Sequence, residues 1–120
     1  MVAPFNIEAE TLEGGIRSFR VSGELDQATA PELQKPLHDA LNGGARAVLI
    51  DLTDCGFIDS TGLGVIVDAW KQLRDGNGAE PGLVVCCVDT EVARLLELTG
   101  LDKAIAIRET RDEALAVLQS

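Results

Sequence analysis

The clearest feature of the sequence is an apolar run followed at once by an apolar stripe at helical spacing. Residues 47–52 are nearly continuous in apolar side chains and rich in β-branched ones, which is typical of a strand buried inside a sheet. Beyond them, large apolar side chains recur at steps of three and four residues: Leu63, Ile66, Val67, Trp70 and Leu73. Because that spacing places them on one face of a helix, the pattern predicts a buried strand that leads into an amphipathic helix.

The start of the chain alternates apolar and polar residues instead. This alternation runs from Phe5 to Val21 and is interrupted by Gly14 and Gly15. Glycines between two alternating segments are typical of a hairpin turn. The chain is therefore predicted to open with a β-hairpin.

Helical and strand signals alternate after the hairpin. Thr29 is predicted to be the N-cap of a helix, with Glu32 as its capping-box partner, and the helix is predicted to stop at residues 42–44. Residues 75–82 are polar and rich in glycine, which predicts an exposed loop. Residues 83–88 are a second apolar run and predict another buried strand.

The last part of the chain repeats the same alternation. Asp89 or Thr90 is predicted to cap a helix that ends at Gly100. Residues 104–107 are short enough for an edge strand, and residues 110–113 match a capping box that precedes a last amphipathic helix.

The order of these elements predicts the fold class. Strand, strand, helix, strand, helix, strand, helix, strand, helix requires parallel crossovers after the opening hairpin. We therefore predict a single α/β domain over residues 1–120, with a mixed β-sheet, an opening hairpin and about four helices. Since both central strands are apolar at almost every position, the pattern leaves open whether the helices cover one face of the sheet or both.

Composition narrows the classes of partner. The chain has 120 residues and a formal net charge of -10, which repels nucleic acid phosphates and anionic lipid surfaces. No apolar run approaches the length of a membrane span, and the first residues do not resemble a secretory signal. We therefore expect a cytoplasmic protein without a membrane span, whose partners are proteins with basic surfaces and not nucleic acids.

The cysteines predict neither a disulfide nor a zinc site. There are three of them, Cys55, Cys86 and Cys87, and no two have the Cys-x-x-Cys spacing of a metal or redox motif. Two lie in an apolar run, so we expect reduced core residues and no metal.

The junction between the buried strand and the central helix is the candidate functional site. Asp59 or Ser60 is the predicted N-cap of the helix, and Ser60 is then expected at the surface. Gly62 and Gly64 occupy the first helical turn, where each costs roughly 1 kcal/mol relative to alanine. Two explanations remain open for the glycines: the helix start packs closely on the sheet, or another molecule approaches the backbone there.

Enzyme and nucleotide-binding interpretations find little support in the sequence. A Ser-His-Asp hydrolase would require His38 as the base of Ser60. The glycine pattern of a nucleophile elbow is incomplete, because Ile58 stands two residues before the serine, where glycine is needed. No phosphate-binding Gly-Lys-Ser or Gly-Lys-Thr follows, and Val67 stands where a dinucleotide-binding fingerprint needs glycine or alanine.

Three aspartates after the buried strand suggest a magnesium site or a phospho-acceptor aspartate. Asp51, Asp54 and Asp59 are close in sequence, as in a response-regulator receiver domain. Such a domain also needs an acidic pair after its first strand and a lysine after a late strand, and neither is present. We therefore interpret the three as solvated loop carboxylates.

Three short motifs in order resemble the STAS-domain family, and specifically its bacterial anti-sigma factor antagonists. They are Gly23-Glu24-Leu25-Asp26, Phe57-Ile58-Asp59-Ser60-Thr61-Gly62-Leu63-Gly64 and Leu98-Thr99-Gly100-Leu101. The second is similar to the phosphorylation motif of the family, and the resemblance extends over nearly the whole chain.

This resemblance implies a function. An unphosphorylated antagonist binds an anti-sigma factor, usually a serine kinase of the histidine-kinase-like ATPase class, and so releases a sigma factor. Ser60 matches the phospho-acceptor; phosphorylation by the kinase abolishes binding and a metal-dependent serine phosphatase restores it. The chain is then a substrate, not an enzyme, and needs no cofactor. The implied partner-binding residues are Asp26, Asp59, Ser60, Thr61, Gly62, Leu63 and Gly64.

Two alternatives to an antagonist controlled by phosphorylation remain. The chain is expected to be either such an antagonist or a STAS module of a stress-signalling scaffold or lipid-transport complex in which the serine is not phosphorylated. A small hydrolase using Ser60 is the third interpretation. The segment 75–82 is longer than the usual glycine turn of the family, and the sequence leaves open whether this loop selects the partner.

Overall fold

Strands and helices follow one another in the predicted order. The computed structural model describes residues 4–77, 82–86 and 88–119. The strands are β1 (Asn6–Leu12), β2 (Ile16–Leu25), β3 (Ala47–Ile58), β4 (Leu83–Cys86) and β5 (Ala106–Arg108). The helices are α1 (Ala30–Asn42), α2 (Ser60–Asn77), α3 (Thr90–Thr99) and α4 (Arg111–Gln119), with a short 3-10 helix at Leu101–Lys103.

The five strands form one mixed sheet in the order β1-β2-β3-β4-β5. Strands β1 and β2 pair antiparallel, with Leu12 opposite Ile16 across a turn in which Gly14 and Gly15 have φ values of 80° and 79°. All the other neighbours pair parallel. The mixed sheet, the opening hairpin and the glycine turn are thus confirmed, and the α/β class with four helices is correct.

Helices cover both faces of the sheet, which answers the question that the sequence left open. Val48, Ile50 and Leu52 of β3 pack in one core with buried residues of α1, α2 and α3. Ala47 and Leu49, which alternate with them along the strand, pack in a second core with α4. Because neighbouring side chains of a strand point to opposite faces, three helices lie on one face and α4 lies on the other.

Three predictions of element bounds and caps were wrong in part. The exposed loop predicted over 75–82 begins later, because α2 continues to Asn77; residues 78–81 lie outside the described part of the chain. Thr29 is the N-cap residue of α1, as predicted, but the side-chain bond of the predicted capping box does not form. Its hydroxyl instead donates to the carbonyl oxygen of Glu24 at 2.7 Å and accepts from the backbone N–H of Asp26 at 2.9 Å. The edge strand predicted over 104–107 is β5, which begins two residues later and ends one residue later.

A buried polar cluster lies on the face covered by α4. Asp51 and Ser18 are each only 2% exposed. The interpretation of Asp51 as a solvated loop carboxylate was therefore wrong, because the residue is buried within β3. Arg111, at the start of α4, donates to Ser18 Oγ at 2.9 Å and to Glu10 Oε1 at 2.8 Å, and its Nη1 lies 3.7 Å from Asp51 Oδ2. Thr53 supplies a hydroxyl and a backbone N–H to the other oxygen of Asp51. Arg111 therefore ties α4 to β1, β2 and β3.

Replacing Arg111 tests this cluster. Arg111→Ala removes the donors to Ser18 and Glu10 and the cation nearest Asp51, so we expect the free energy of unfolding to fall by about 1–3 kcal/mol. Urea denaturation measures the change. Arg20→Ala is the matched control, because the Arg20–Asp54 pair is exposed and its loss is expected to cost at most about 1 kcal/mol. Equal losses in the two variants would contradict the assignment.

Candidate functional site

The carboxylate of Asp59 joins two segments at the carboxyl end of the sheet. Its Oδ1 accepts the backbone N–H of Gly62 at 2.9 Å, and its Oδ2 accepts that of Gln27 at 3.0 Å. The backbone N–H of Asp59 in turn donates to the carbonyl oxygen of Leu25 at 3.2 Å. Asp59 is therefore the N-cap of α2, and it also fixes the segment between β2 and α1 against the start of that helix.

Ser60 is the first residue of α2, and its side chain is exposed. Since Asp59 caps the first turn, the Ser60 hydroxyl is not needed there, and no hydrogen bond to it occurs within the described part of the chain. Thr61 is exposed beside it. The predicted surface position of Ser60 is confirmed, and the choice between the two predicted caps falls on Asp59.

Asp26 shapes the neighbouring segment. Its Oδ1 accepts the backbone N–H groups of Ala28 at 3.0 Å and Thr29 at 3.1 Å, and Thr29 Oγ1 lies 3.2 Å away. The residue is half-buried. A carboxylate oxygen with these partners organises the turn that presents Gln27 to Asp59, so Asp26 supports the site from within the chain.

The two glycines of the first turn have different surroundings. Gly62 is buried, and a Cβ there would lie 2.5 Å from the carbonyl oxygen of Leu25 and 2.8 Å from its Cγ. At Gly64, a Cβ would meet nothing within 4 Å. Close packing of the helix on the sheet therefore explains Gly62. Space for an approaching molecule exists at Gly64.

Two of the expected partner-binding residues do not fit that role. Leu63 is only 6% exposed and packs in the core beneath α2, so its side chain does not reach a partner. Gly62 is buried against Leu25, as described above. The helical stripe explains the burial of Leu63, which stands on the apolar face of α2. Ser60 and Thr61 remain exposed, and Asp59 and Gly64 are half-buried.

Phe57 is a feature of the site that the sequence pattern did not single out. Its side chain is 44% exposed at the end of β3, three residues before Ser60. Beneath it, the buried thiol of Cys55 donates to the Phe57 carbonyl oxygen at 3.4 Å. Burial raises the pKa of this thiol, so it stays protonated and keeps its donor at neutral pH. Phe57 is the first residue of the second motif, and an aromatic side chain at that position was the available signal.

The histidine and the aspartates considered for a hydrolase or a metal site have other hydrogen-bond partners in the structure. His38 is exposed on α1, where its Nε2 lies 3.0 Å from Asn42 Nδ2. Asp51 and Asp54 are engaged with Thr53 and Arg20, and Asp59 accepts backbone N–H groups. The hydrogen bond to Asp54 raises the pKa of the Arg20 guanidinium. Among the described residues, no three His, Cys, Asp or Glu side chains form a group that could hold a metal ion.

Similarity to known proteins covers nearly the whole chain. A model of the STAS domain matches residues 6–114. The anti-sigma-B factor antagonist of Staphylococcus aureus is 35% identical over 104 residues, which are 87% of this chain and 93% of the relative. That of Listeria monocytogenes is 38% identical over 93 residues, or 78% and 79% of the two chains.

Comparison with solved structures finds the same kind of protein. An anti-sigma factor antagonist from Mycobacterium paratuberculosis has a TM-score of 0.87 to this chain at 30% identity, and both chains are covered completely. In the described part of the chain, no helix is long and apolar enough to cross a membrane.

The different surroundings of Gly62 and Gly64 predict that alanine lowers the stability at one position and raises it at the other. Gly62→Ala forces a Cβ against Leu25, so we expect the free energy of unfolding to fall by about 1–3 kcal/mol. Gly64→Ala places a methyl group in open space within a helix and is expected to raise it by roughly 0.5–1 kcal/mol. Urea denaturation of both variants checks this. A loss of stability in Gly64→Ala equal to that in Gly62→Ala would show that both glycines serve packing.

Proposed function

Because the chain belongs to the STAS domain family, we propose that it acts as an anti-sigma factor antagonist controlled by phosphorylation of Ser60. Its curated relatives carry the name anti-sigma-B factor antagonist. In this proposal the unphosphorylated chain binds an anti-sigma factor serine kinase in the cytoplasm and thereby releases a sigma factor. The kinase transfers a phosphoryl group from ATP to Ser60, and a serine phosphatase removes it.

The observation that carries the proposal is that Asp59 caps α2 while Ser60, beside it, is left exposed. Asp59 provides the cap that the first turn of α2 requires, and Ser60 is left exposed with its hydroxyl unengaged within the described residues. A kinase needs an accessible hydroxyl as the acceptor of the phosphoryl group. Phosphorylation at this position leaves the cap in place, so the domain keeps its fold while its surface charge changes.

Electrostatics explains why the phosphorylated form would leave its partner. A phosphate adds about -1.5 to -2 charges. It would stand beside the Asp59 carboxylate and, in a complex with a kinase, opposite the phosphates of the bound nucleotide. At an effective dielectric near 20, two like unit charges ~4 Å apart cost on the order of 4 kcal/mol. Since about 1.4 kcal/mol changes an affinity tenfold, this repulsion is sufficient.

The start of α2 limits the cost of the phosphate to the free domain. A helix N-terminus favours an anion by up to ~1 kcal/mol at an exposed position. The phosphoprotein is therefore expected to remain folded even though its complex is weakened. In this scheme the chain itself is the substrate of the kinase and the phosphatase, and it performs no catalysis.

Two substitutions at Ser60 test the switch. Ser60→Ala is expected to bind an anti-sigma factor serine kinase as tightly as the wild type but to gain no phosphate, because the acceptor hydroxyl is gone. Ser60→Asp is expected to bind roughly tenfold more weakly, since it adds a charge at the same place. Isothermal titration gives the affinities, and intact mass after incubation with ATP reports the phosphate.

Thr61→Ala is the matched control, because Thr61 is the neighbouring exposed hydroxyl. It is expected to be phosphorylated like the wild type. Equal affinities of Ser60→Ala and Ser60→Asp would contradict the proposed switch. Binding without any phosphorylation of the wild type would instead favour a STAS module of a signalling scaffold or a lipid-transport complex.

Gly64 is expected to be a point of close approach by the partner. Gly64→Ala is predicted to weaken binding of the kinase while leaving the melting temperature unchanged or slightly higher, because the added methyl group occupies space that is open in the free domain. Titration together with thermal unfolding of the same sample separates the two effects. Unchanged affinity in a folded variant would show that no partner backbone contacts this turn.

A further inference from the structure

Phe57 is a large apolar side chain that is exposed at the end of β3. Cys55 and Ile58 are buried, whereas the Phe57 side chain is 44% exposed. Of the described large apolar residues, only Leu98, near the end of α3, is similarly open, with 78% exposure. Phe57 differs from Leu98 in position, because it stands three residues before Ser60 at the carboxyl end of the sheet.

Carboxylates flank Phe57 on two sides. Glu24 is its register partner in β2 and is exposed. On the other side is Asp89, whose Oδ1 caps α3 by accepting the N–H of Val92 at 2.9 Å. The second oxygen of Asp89 lies 3.8 Å from the position that a Cβ would occupy at Gly56, immediately before Phe57. Exposed acidic residues thus stand opposite Phe57 on β2 and close to Gly56, the residue before it.

The three segments that surround Phe57 at this end of the domain have no basic residues, whereas the more distant parallel strand β5 ends there at Arg108. Strands β2, β3 and β4 run parallel, so their carboxyl ends meet at one edge of the sheet. The sequence segments 21–34, 47–70 and 82–93, which hold those strand ends and the starts of the helices that follow them, contain no Lys or Arg. A surface with an aromatic centre and carboxylate neighbours is complementary to an apolar pocket bordered by basic side chains.

We propose that Phe57, flanked by Glu24 and Asp89, is the docking surface through which the chain holds its anti-sigma factor partner. This inference rests on the function proposed above and extends it by assigning a contact that does not depend on phosphorylation. Phe57 supplies the affinity of the complex, and Ser60 decides whether the complex persists. The partner is a protein that carries an apolar pocket with Lys or Arg at its rim.

The position of Phe57 supports one continuous contact surface. Phe57 and Ser60 are joined by Ile58 and Asp59, both fixed by the core and by the Asp59 hydrogen bonds. The backbone that carries the ring is therefore held rigidly relative to the phospho-acceptor. A partner that places a kinase active site over Ser60 meets Phe57 at a fixed offset, which is a suitable arrangement for a docking anchor.

The first test truncates the ring. Phe57→Ala is expected to weaken binding of an anti-sigma factor serine kinase, purified from the organism that carries this chain, by roughly tenfold or more, because buried aromatic anchors dominate interfaces. Leu98→Ala is the matched control, since it also removes an exposed large apolar side chain, and it is expected to stay within about twofold. Circular dichroism and thermal unfolding confirm that both variants are folded.

The second test removes the flanking charges. The double variant Glu24→Gln with Asp89→Asn keeps side-chain size, and asparagine retains an oxygen for the α3 cap. The wild-type affinity is expected to fall as salt is raised, because salt screens the charge pairs at the rim. The double variant is expected to bind more weakly at low salt and to depend less on salt. If the double variant depends on salt as strongly as the wild type, the partner does not carry basic residues at the rim of its pocket, and the proposal is wrong.

The outcomes separate this inference from the proposed function. Wild type and Ser60→Asp are titrated in the same series. If they differ as proposed while Phe57→Ala binds within about twofold of the wild type, the switch stands and the docking surface is wrong. If Phe57→Ala and Leu98→Ala weaken binding equally, Phe57 is not a specific anchor. If the wild type does not bind at all, the proposed function fails first.

Discussion

The structure depends on one carboxylate that holds two backbone N–H groups from distant parts of the chain. The first turn of any α-helix leaves donors unsatisfied, and the side chain of Asp59 satisfies that of Gly62 while its other oxygen binds Gln27. The absence of a Cβ at Gly62 lets the same turn rest on Leu25. Together these contacts fix the mouth of α2, so the neighbouring Ser60 is displayed outward on a rigid base without having to stabilise the helix.

A rigid display suits a switch that acts through charge. The edge of the sheet around Ser60 is built from segments without Lys or Arg, so a new phosphate finds no cation among those segments to neutralise it. The helix N-terminus offsets part of the charge within the domain, and the remainder acts on whatever faces the surface. Such a device changes affinity without refolding, because the cores on both faces of the sheet are untouched by it. In this proposal the residues that stabilise the fold are different from the residue that carries the phosphate.

The fold and the main features of the site follow from local sequence patterns, and the errors fall where a side chain binds a partner that the pattern does not specify. Periodicity predicted the strands and helices, and cap chemistry predicted that Ser60 is exposed. The same cap chemistry failed at Thr29, because its hydroxyl binds Glu24 and Asp26 in the preceding turn. Nothing in the sequence separates Gly62 from Gly64, since the difference is the position of Leu25 on another strand. The tie from Arg111 to Ser18 spans too many residues for any local pattern to predict it.

We propose that phosphorylation of one exposed hydroxyl, that of Ser60, controls a protein complex. The direct measurement is the affinity of a single preparation for its anti-sigma factor kinase, taken before phosphorylation, after complete modification of Ser60, and again after treatment with a serine phosphatase. We expect the affinity to fall by roughly tenfold or more and then to return to its first value. An affinity that is the same in all three states would contradict the account.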